Sequence, residues 1–337
     1  MASIGWVLLL FLQVLCALAT SGAHGDGNLL NLRCHPDQAA VLLQLKKSFS
    51  FFSYPNSLES WQDGTDCCLW EGVVCNNSTG HVTALELGGR GLHSPGLDPA
   101  IFNLTLLQRL DLSMNYFGQY SLPATGFERL SLLTHLNLSK SGFQGQIPIG
   151  IGKLDNLISL DLSVLYYAAS EDSLDGYGTN IPDVTNWLWL QEPNLQNLVG
   201  NLSNLRELYL DGVDMSSSAD DWCDALSQSL PNLRVLSLNY CNLVSPICPS
   251  LLTLHSLTVI NLHDNFDTSA APFPELFLEF HNLSFLRFMW TNLQRWFLSR
   301  IFRPNTPRDL PLPITKASNW SFFGRVPAER RIAIVQS

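Results

Sequence analysis

Two aspartates, Asp111 and Asp161, come closest to a pair of side chains that could do chemistry in this chain of 337 residues. Each lies in the tetrapeptide Leu-Asp-Leu-Ser, which predicts adjacent strands about 5 Å apart or more, a spacing similar to that of the two carboxylates of a glycosidase. The tetrapeptide belongs to a longer repeat, so a solvated sheet position is the better explanation. No nucleophile with a base stands out, and the eight histidines share no motif. We therefore predict that the chain is not an enzyme and uses no cofactor.

The repeat that contains these aspartates is the spacing L-x-x-L-x-L, in which apolar residues substitute for some of the leucines. The units are 24 to 28 residues long except at one step of 48 residues. This spacing matches the consensus of the leucine-rich repeat. The units begin at Val82, Leu107, Leu133, Leu157, Leu205, Leu233, Leu257 and Leu283.

The L-x-L step places two apolar side chains on one face of a short strand, because strand side chains alternate. One unit cannot bury that face alone, so neighbouring units stack and their strands form a parallel sheet. The predicted fold is an α/β repeat solenoid, a leucine-rich-repeat horseshoe with a parallel concave sheet and a disulfide-stapled helical cap at its amino-terminal end. We assign residues 24–81 to the cap and residues 82–293 to about eight repeats.

The step of 48 residues between Leu157 and Leu205 has two explanations, a degenerate repeat or an inserted loop. We favour an insertion at residues 166–197, because this segment contains no L-x-x-L-x-L match and long excursions are common in solenoids. The ninth position of each unit is expected to face inward and to bond unpaired backbone groups. It is occupied by Asn115, Ser141, Leu165, Val213, Cys241, Asn265 and Thr291.

The chain is acidic, with a formal net charge of −10 and 14% charged residues, which argues against nucleic-acid binding. Residues 1–23 contain an apolar run followed by small residues and are predicted to be a secretory signal; an uncleaved anchor is the alternative. No later stretch is long and apolar enough to span a membrane. Residues 294–337 form a basic tail without the repeat pattern.

Four cysteines lie together before the first repeat, and a secreted protein is expected to oxidise them. The simplest pairing joins Cys34 to Cys67 and Cys68 to Cys75, since adjacent cysteines cannot easily bond to each other. The helix predicted from Pro36 to Phe49 would then cover the first apolar layer of the stack. A metal site is disfavoured because no histidine stands at zinc-ligand spacing.

Three later cysteines, Cys223, Cys241 and Cys248, form an odd set. Cys241 falls on the inward ninth position, so it is either a buried free thiol or the partner of Cys223. Seven N-x-S/T sequons are consistent with a secreted, glycosylated surface. They are Asn76, Asn77, Asn103, Asn137, Asn201, Asn282 and Asn319.

The concave side of the sheet carries the residues that vary between units, so a ligand is expected to bind there. Eight strands at about 4.8 Å make a surface roughly 35 Å wide, enough for an extended peptide or one side of a small protein. Tyrosine, tryptophan and arginine are favoured at such contacts. The predicted contact residues are Tyr209, Arg234, Tyr240, Arg287 and Trp290.

The segment from Asp66 to Cys75, DCCLWEGVVC, followed by Gly80-His81-Val82, resembles the cap of plant leucine-rich-repeat proteins. Residues 143–148, FQGQIP, are similar to the plant repeat turn, and residues 204–208, NLREL, resemble disease-resistance receptor-like proteins such as the Verticillium-wilt resistance type. The resemblance covers about residues 1–298.

This resemblance implies a membrane-anchored ectodomain that perceives pathogen or endogenous ligands and signals through a co-receptor kinase. It places the protein in the secretory pathway and then at the plasma membrane. A chain that stops before its membrane anchor, as this one is expected to do, would instead be released into the apoplast. The alternative is a secreted inhibitor of fungal polygalacturonase. The 48-residue step and the absence of cysteines at the carboxyl end argue against that alternative.

Overall fold

The central leucine of every unit lies in the same inward register from strand to strand. Leu85 pairs with Leu110 and Leu110 with Leu136, and the series continues through every later unit. Each of these side chains is at most 2% exposed, so each is buried only because a neighbouring unit covers it. The series comprises Leu85, Leu110, Leu136, Leu160, Leu208, Leu236, Ile260 and Leu286.

A computed structural model describes residues 34–51, 57–164, 188–218, 221–243, 248–262, 265, 279–287 and 333–335. The predicted signal at residues 1–23 and most of the basic tail lie outside these residues. The strands are β1 (Ser50–Phe51), β2 (Val73–Cys75), β3 (Val82–Glu86), β4 (Leu92–His93), β5 (Arg109–Asp111), β6 (His135–Asn137), β7 (Gly145–Gln146), β8 (Ser159–Asp161), β9 (Leu188–Trp189), β10 (Glu207–Tyr209), β11 (Val235–Ser237), β12 (Val259–Asn261), β13 (Phe285–Arg287) and β14 (Ala333–Val335).

Ten of these strands form one sheet in the order β14-β13-β12-β11-β10-β8-β6-β5-β3-β2. All neighbours from β3 to β14 are parallel, and only the cap strand β2 is antiparallel to β3. The predicted parallel solenoid is therefore confirmed. Ala333–Val335, in the segment assigned to a non-repeat tail, pairs with Phe285–Arg287 and so adds a strand to the sheet.

Each unit returns behind the sheet through a short helix or turn. The short α-helices are α2 (Leu195–Val199) and α3 (Trp222–Ser229), and 3-10 helices serve the other units at Pro99–Asn103, Phe127–Arg129, Ile151–Lys153 and Pro249–Thr253. Phenylalanines fill the space between, where Phe117 stacks on Phe143 with ring centroids 4.7 Å apart. A unit of about 24 residues is long enough for one short strand and for tight turns or a short helix on the opposite side.

The 48-residue step contains an insertion, because β8 pairs directly with β10 and no concave strand lies between them. Its predicted end at residue 197 is wrong. Leu188–Trp189 pairs with Gly145–Gln146 of the preceding unit, and Leu195 and Leu198 of α2 are fully buried. Apolar residues at 188, 190, 195 and 198 fit the return path of a normal unit, so residues 188–197 do not belong to the insertion.

The amino-terminal cap contains helix α1 (Pro36–Ser48), whose Leu42 and Leu45 are buried. The structure joins Cys34 to Cys67 and Cys68 to Cys75, the pairing expected from the sequence. The Gln38 side-chain oxygen accepts a hydrogen bond of 2.8 Å from the Val82 N–H. The helix is thereby fixed to the first repeat strand, whose apolar side it covers.

The inward ninth position satisfies carbonyl groups that the strands leave unpaired. Asn115 donates to the Leu87 carbonyl, Ser141 to the Leu112 carbonyl and Cys241 to the Leu210 carbonyl, each in the preceding unit. A second ladder lies just before the strands and was not expected. In this ladder an asparagine side chain donates to a backbone carbonyl of the preceding unit. The pairs are Asn156 with Ser131, Asn204 with Asp155, Asn232 with Ser203 and Asn282 with His255.

The later cysteines do not form the Cys223–Cys241 bond that the sequence analysis considered. Cys223 bonds to Cys248 rather than to Cys241, because α3 presents Cys223 to the segment just before the next 3-10 helix. Cys241 is a buried free thiol, which is one of the two alternatives that the sequence left open. Among the described residues, no helix combines the length and apolar composition of a bilayer span.

The aliphatic ladder predicts a large effect of cavity formation at its centre. Replacing the fully buried Leu208 by alanine should lower the free energy of unfolding by about 2–5 kcal/mol, because neighbouring units on both sides lose contacts. Urea denaturation measures this change. Leu132→Ala is the control, since Leu132 is 43% exposed and its loss should cost under about 0.5 kcal/mol. Equal effects of the two substitutions would contradict the ladder.

Cys241 should be unreactive in the folded protein. Burial raises the pKa of its thiol well above the ordinary value, and the thiolate is the reactive form. Iodoacetamide should modify Cys241 only after unfolding, and peptide mass spectrometry reads out the site. Reduction before labelling serves as the positive control, because it should free the thiol of Cys248, which is only half-buried. Labelling of Cys241 in the native, unreduced protein would refute the assignment.

Candidate ligand-binding face

Two rows of side chains cover the sheet on the side opposite the core, the concave face. The strand register aligns each row from unit to unit, so that residues of different units become neighbours. The first row contains Ala84, Arg109, His135, Ser159, Glu207, Val235, Val259 and Phe285. The second row contains Glu86, Asp111, Asn137, Asp161, Tyr209, Ser237, Asn261 and Arg287.

Three carboxylates lie around Tyr209 near the centre of this face. Tyr209 lies opposite Asp161 in the register, two residues after Glu207 and two before Asp211. Burial, followed by the charges of these three carboxylates, raises the pKa of the Tyr209 hydroxyl above its ordinary value. The phenol therefore stays protonated over the physiological range and can donate a hydrogen bond to a ligand.

The sequence predicted that the two aspartates in Leu-Asp-Leu-Ser lie on adjacent strands. This prediction is wrong. Asn137 on β6 lies between Asp111 on β5 and Asp161 on β8, so two strand spacings, about 10 Å, separate them. The first oxygen of each aspartate accepts the backbone N–H two residues later, from Ser113 and Ser163. Both carboxylates thus shape the turn that follows the strand.

Three of the predicted contact residues belong to two units whose strands pair with each other. Tyr209 belongs to β10, while Arg234 precedes β11 and Tyr240 follows it. Arg234 is exposed and Tyr240 is 37% exposed. The backbone of Arg287 pairs with that of Asn261, which puts Arg287 at the end of the second row. Trp290 lies outside the described residues. Their contact with a ligand remains a prediction.

Sequence reasoning missed a structural feature at the rim of this face. Met114, Lys140 and Tyr240 occupy the same position in their units and have φ values of 55°, 53° and 54°. This left-handed conformation is uncommon outside glycine. Gly89 and Gly212 stand at the equivalent position with φ of 67° and 79°, and an alignment of the units would have revealed it. The rim therefore holds three side chains on a strained backbone, and Met114 is 64% exposed.

Comparison with known proteins agrees with this architecture. A family model described as a leucine rich repeat N-terminal domain matches residues 35–76. Receptor-like protein 6 of Arabidopsis thaliana is 33% identical over 253 residues, which cover 69% of this chain and 23% of that protein. Receptor-like protein EIX1 of Solanum lycopersicum is 31% identical over 252 residues, or 68% of this chain and 23% of that protein.

In its amino-terminal cap and repeats the chain is similar to the corresponding part of plant leucine-rich-repeat receptor-like proteins. It spans only 23% of the length of these two relatives. Among solved structures, the ectodomain of the Arabidopsis receptor kinase HAESA in complex with an N-terminally extended IDA peptide hormone is 25% identical, with a TM-score of 0.51. That match covers 74% of this chain and 41% of the HAESA chain.

The N-x-S/T sequons differ in how exposed their asparagines are. Asn76, Asn77, Asn103, Asn201 and Asn282 are exposed, whereas Asn319 lies outside the described residues. Asn137 is half-buried on the concave face, and its side-chain oxygen accepts hydrogen bonds from the Ser139 N–H and hydroxyl. Glycosylation of the exposed sites remains a prediction, and a glycan on Asn137 would obstruct the concave face.

The imidazole of His135 should have a pKa below its ordinary value. Burial and the neighbouring Arg109 lower the pKa of this imidazole, while Glu207 opposes them. Arg109→Gln should therefore raise the pKa of His135, and Glu207→Gln should lower it further. NMR titration of the ring protons measures both shifts. Leu132→Ala is the control, and shifts of the same sign in the two charge variants would contradict this arrangement.

Proposed function

We propose that this chain is the ligand-binding part of a plant receptor-like ectodomain that perceives a peptide or protein ligand in pathogen perception and defence signalling. The observation that carries the proposal is the continuous register of the two concave rows. Their side chains vary from unit to unit over a fixed core. Such a surface supplies many independent contacts on a rigid support, as peptide recognition requires.

The relatives support the same role. The HAESA ectodomain was solved with a bound peptide hormone, and it shares this fold. Receptor-like proteins supply the curated matches in sequence. We assign the protein to the secretory pathway and to the outer side of the plasma membrane, with a co-receptor kinase as its signalling partner, on the strength of this similarity.

A binding role rather than a catalytic one fits the concave aspartates. Asp111 and Asp161 are separated by a strand, and each is occupied by the turn that follows it. Burial raises the pKa of Asp161, but hydrogen bonds from the Ser163 N–H and the Ser139 and Ser163 side chains oppose that shift. The arrangement stabilises the backbone and gives no pair of carboxylates facing one substrate bond.

The test is binding of synthetic peptides to the secreted chain, measured by surface plasmon resonance. Peptides of about twelve residues are long enough to cross eight strands at about 4.8 Å. Basic peptides should bind better than acidic ones, because Asp161, Glu207 and Asp211 surround Tyr209. Tyr209→Ala should weaken binding roughly tenfold, which corresponds to about 1.4 kcal/mol for a contact residue.

The matched control is Ile149→Ala, because Ile149 is 41% exposed and lies outside both concave rows. It should bind the peptides as the unaltered chain does. Equal loss in both variants, or peptide binding that ignores charge and Tyr209, would count against the concave face. Stoichiometric inhibition of a fungal polygalacturonase would instead favour the inhibitor function.

A further inference from the structure

A third row of side chains borders the concave face where the strands begin, and we name it the strand-start row. The backbone N–H of each later member donates to the carbonyl of the member in the preceding unit, at 2.7 or 2.8 Å. None of the members is buried, so a ligand on the concave face can touch this row. The row comprises Thr83, Gln108, Thr134, Ile158, Arg206, Arg234, Thr258 and Ser284.

Two arginines in consecutive units are the charged members of this row. The Arg234 N–H donates to the Arg206 carbonyl at 2.8 Å, so the two residues stand side by side at one strand spacing, about 4.8 Å. Both side chains are exposed, and within the described part of the chain neither guanidinium forms an ion pair or a hydrogen bond. Two adjacent guanidinium groups without a counter-charge favour an anion, and a carboxylate matches their planar array of N–H donors.

The nearest acidic side chain in sequence, Glu207, is engaged elsewhere. It follows Arg206, and its carboxylate accepts a hydrogen bond of 3.0 Å from the Ser159 hydroxyl of β8. Arg234 lies on the opposite side of β10, because it directly precedes β11 and β11 pairs there. Glu207 is therefore directed away from Arg234, and the arginine pair retains a net positive charge.

Negative charge lies at the other end of the same strands. Tyr209 stands three residues after Arg206, about 10 Å further along the strand, and Asp211 follows Tyr209 by two residues. Asp161 pairs with Tyr209 from β8 in the register. The concave face is thus positive where β10 and β11 begin and negative where β8 and β10 end.

An extended peptide lying across the strands would meet both charges with two successive residues. Side chains alternate in direction along an extended chain, so one residue points to the strand starts and the next points to the strand ends. An acidic and a basic side chain on opposite sides of one backbone can bridge the separation of about 10 Å. An acid directed to Asp161 or a base directed to Arg234 would place like charges together, which is unfavourable.

We propose that the ligand of the concave face is a peptide in which an acidic residue stands directly next to a basic one. The acidic side chain binds between Arg206 and Arg234, and the basic side chain binds at Tyr209 among its carboxylates. The carboxylate belongs to a side chain rather than to the end of the peptide, because β12 and β13 extend the sheet beyond the two arginines. This inference rests on the proposed function, since it assumes a peptide on the concave face, and it adds the requirement for an acid.

Selection from a phage library of random peptides of about twelve residues, fused through their carboxyl ends, tests the proposal on the full secreted chain. The unaltered chain should enrich peptides with Asp or Glu directly beside Lys or Arg. Arg206→Gln/Arg234→Gln should still enrich Lys and Arg but no longer Asp or Glu. The matched control is Lys47→Gln/Lys153→Gln, which removes two exposed positive charges from helix α1 and a 3-10 helix and should select the same peptides as the unaltered chain.

A synthetic peptide with the most enriched sequence measures the contact by itself. In surface plasmon resonance, replacing its acidic residue by Gln or Asn should weaken binding to the unaltered chain about tenfold. The same replacement should change binding to Arg206→Gln/Arg234→Gln by less than about twofold, because the partner of the acid is already absent. Equal thermal midpoints of the two chains show that the substitutions leave the fold intact.

The outcomes separate this inference from the proposed function. Peptides enriched in Lys or Arg without a neighbouring acid would overturn the inference and leave the proposed function standing. An acid whose replacement weakens binding equally in both chains would do the same. Failure of the unaltered chain to enrich any peptide would contradict the proposed function, and the inference with it.

Discussion

Burial of aliphatic side chains between stacked units is the constraint on which the rest of this structure depends. The L-x-L step gives each strand an apolar side, and that side is covered by the adjacent units and by the return turns. Leu160 and Leu208 illustrate the consequence, because they pair in register although 48 residues separate them. The chain accommodates extra residues between units, but it does not accommodate a break in the ladder.

The same constraint divides the residues of each unit by task. Inward positions are restricted to leucine and its substitutes, or to polar groups such as Asn115 that bond to the preceding unit's carbonyls. Outward positions of the sheet have no such restriction, so polar, charged and aromatic side chains occur there. The carboxylates around Tyr209 come from two neighbouring strands and from the residue two positions after the second strand.

Several features were open to prediction because they depend on local spacing. Cys34 and Cys67 could be paired, and the helix between them identified, since a solenoid needs its first layer covered. The inward position of Cys241 was compatible with a free thiol or with a bond to Cys223, and the structure shows the free thiol. The partner of Cys223 was not predictable, because α3 and the following turn bring Cys248 to it by packing rather than by spacing in the repeat.

The sequence by itself determined the period, the inward and outward positions and the nature of the cap, because each follows from alternation along a strand and from the need to bury leucine. Only the tertiary structure decided which units are neighbours. It separated Asp111 from Asp161 by Asn137, returned residues 188–197 to a normal unit, and brought Glu207 to Ser159 across the insertion. Contacts between units depend on register and on backbone conformation, which a linear spacing does not specify.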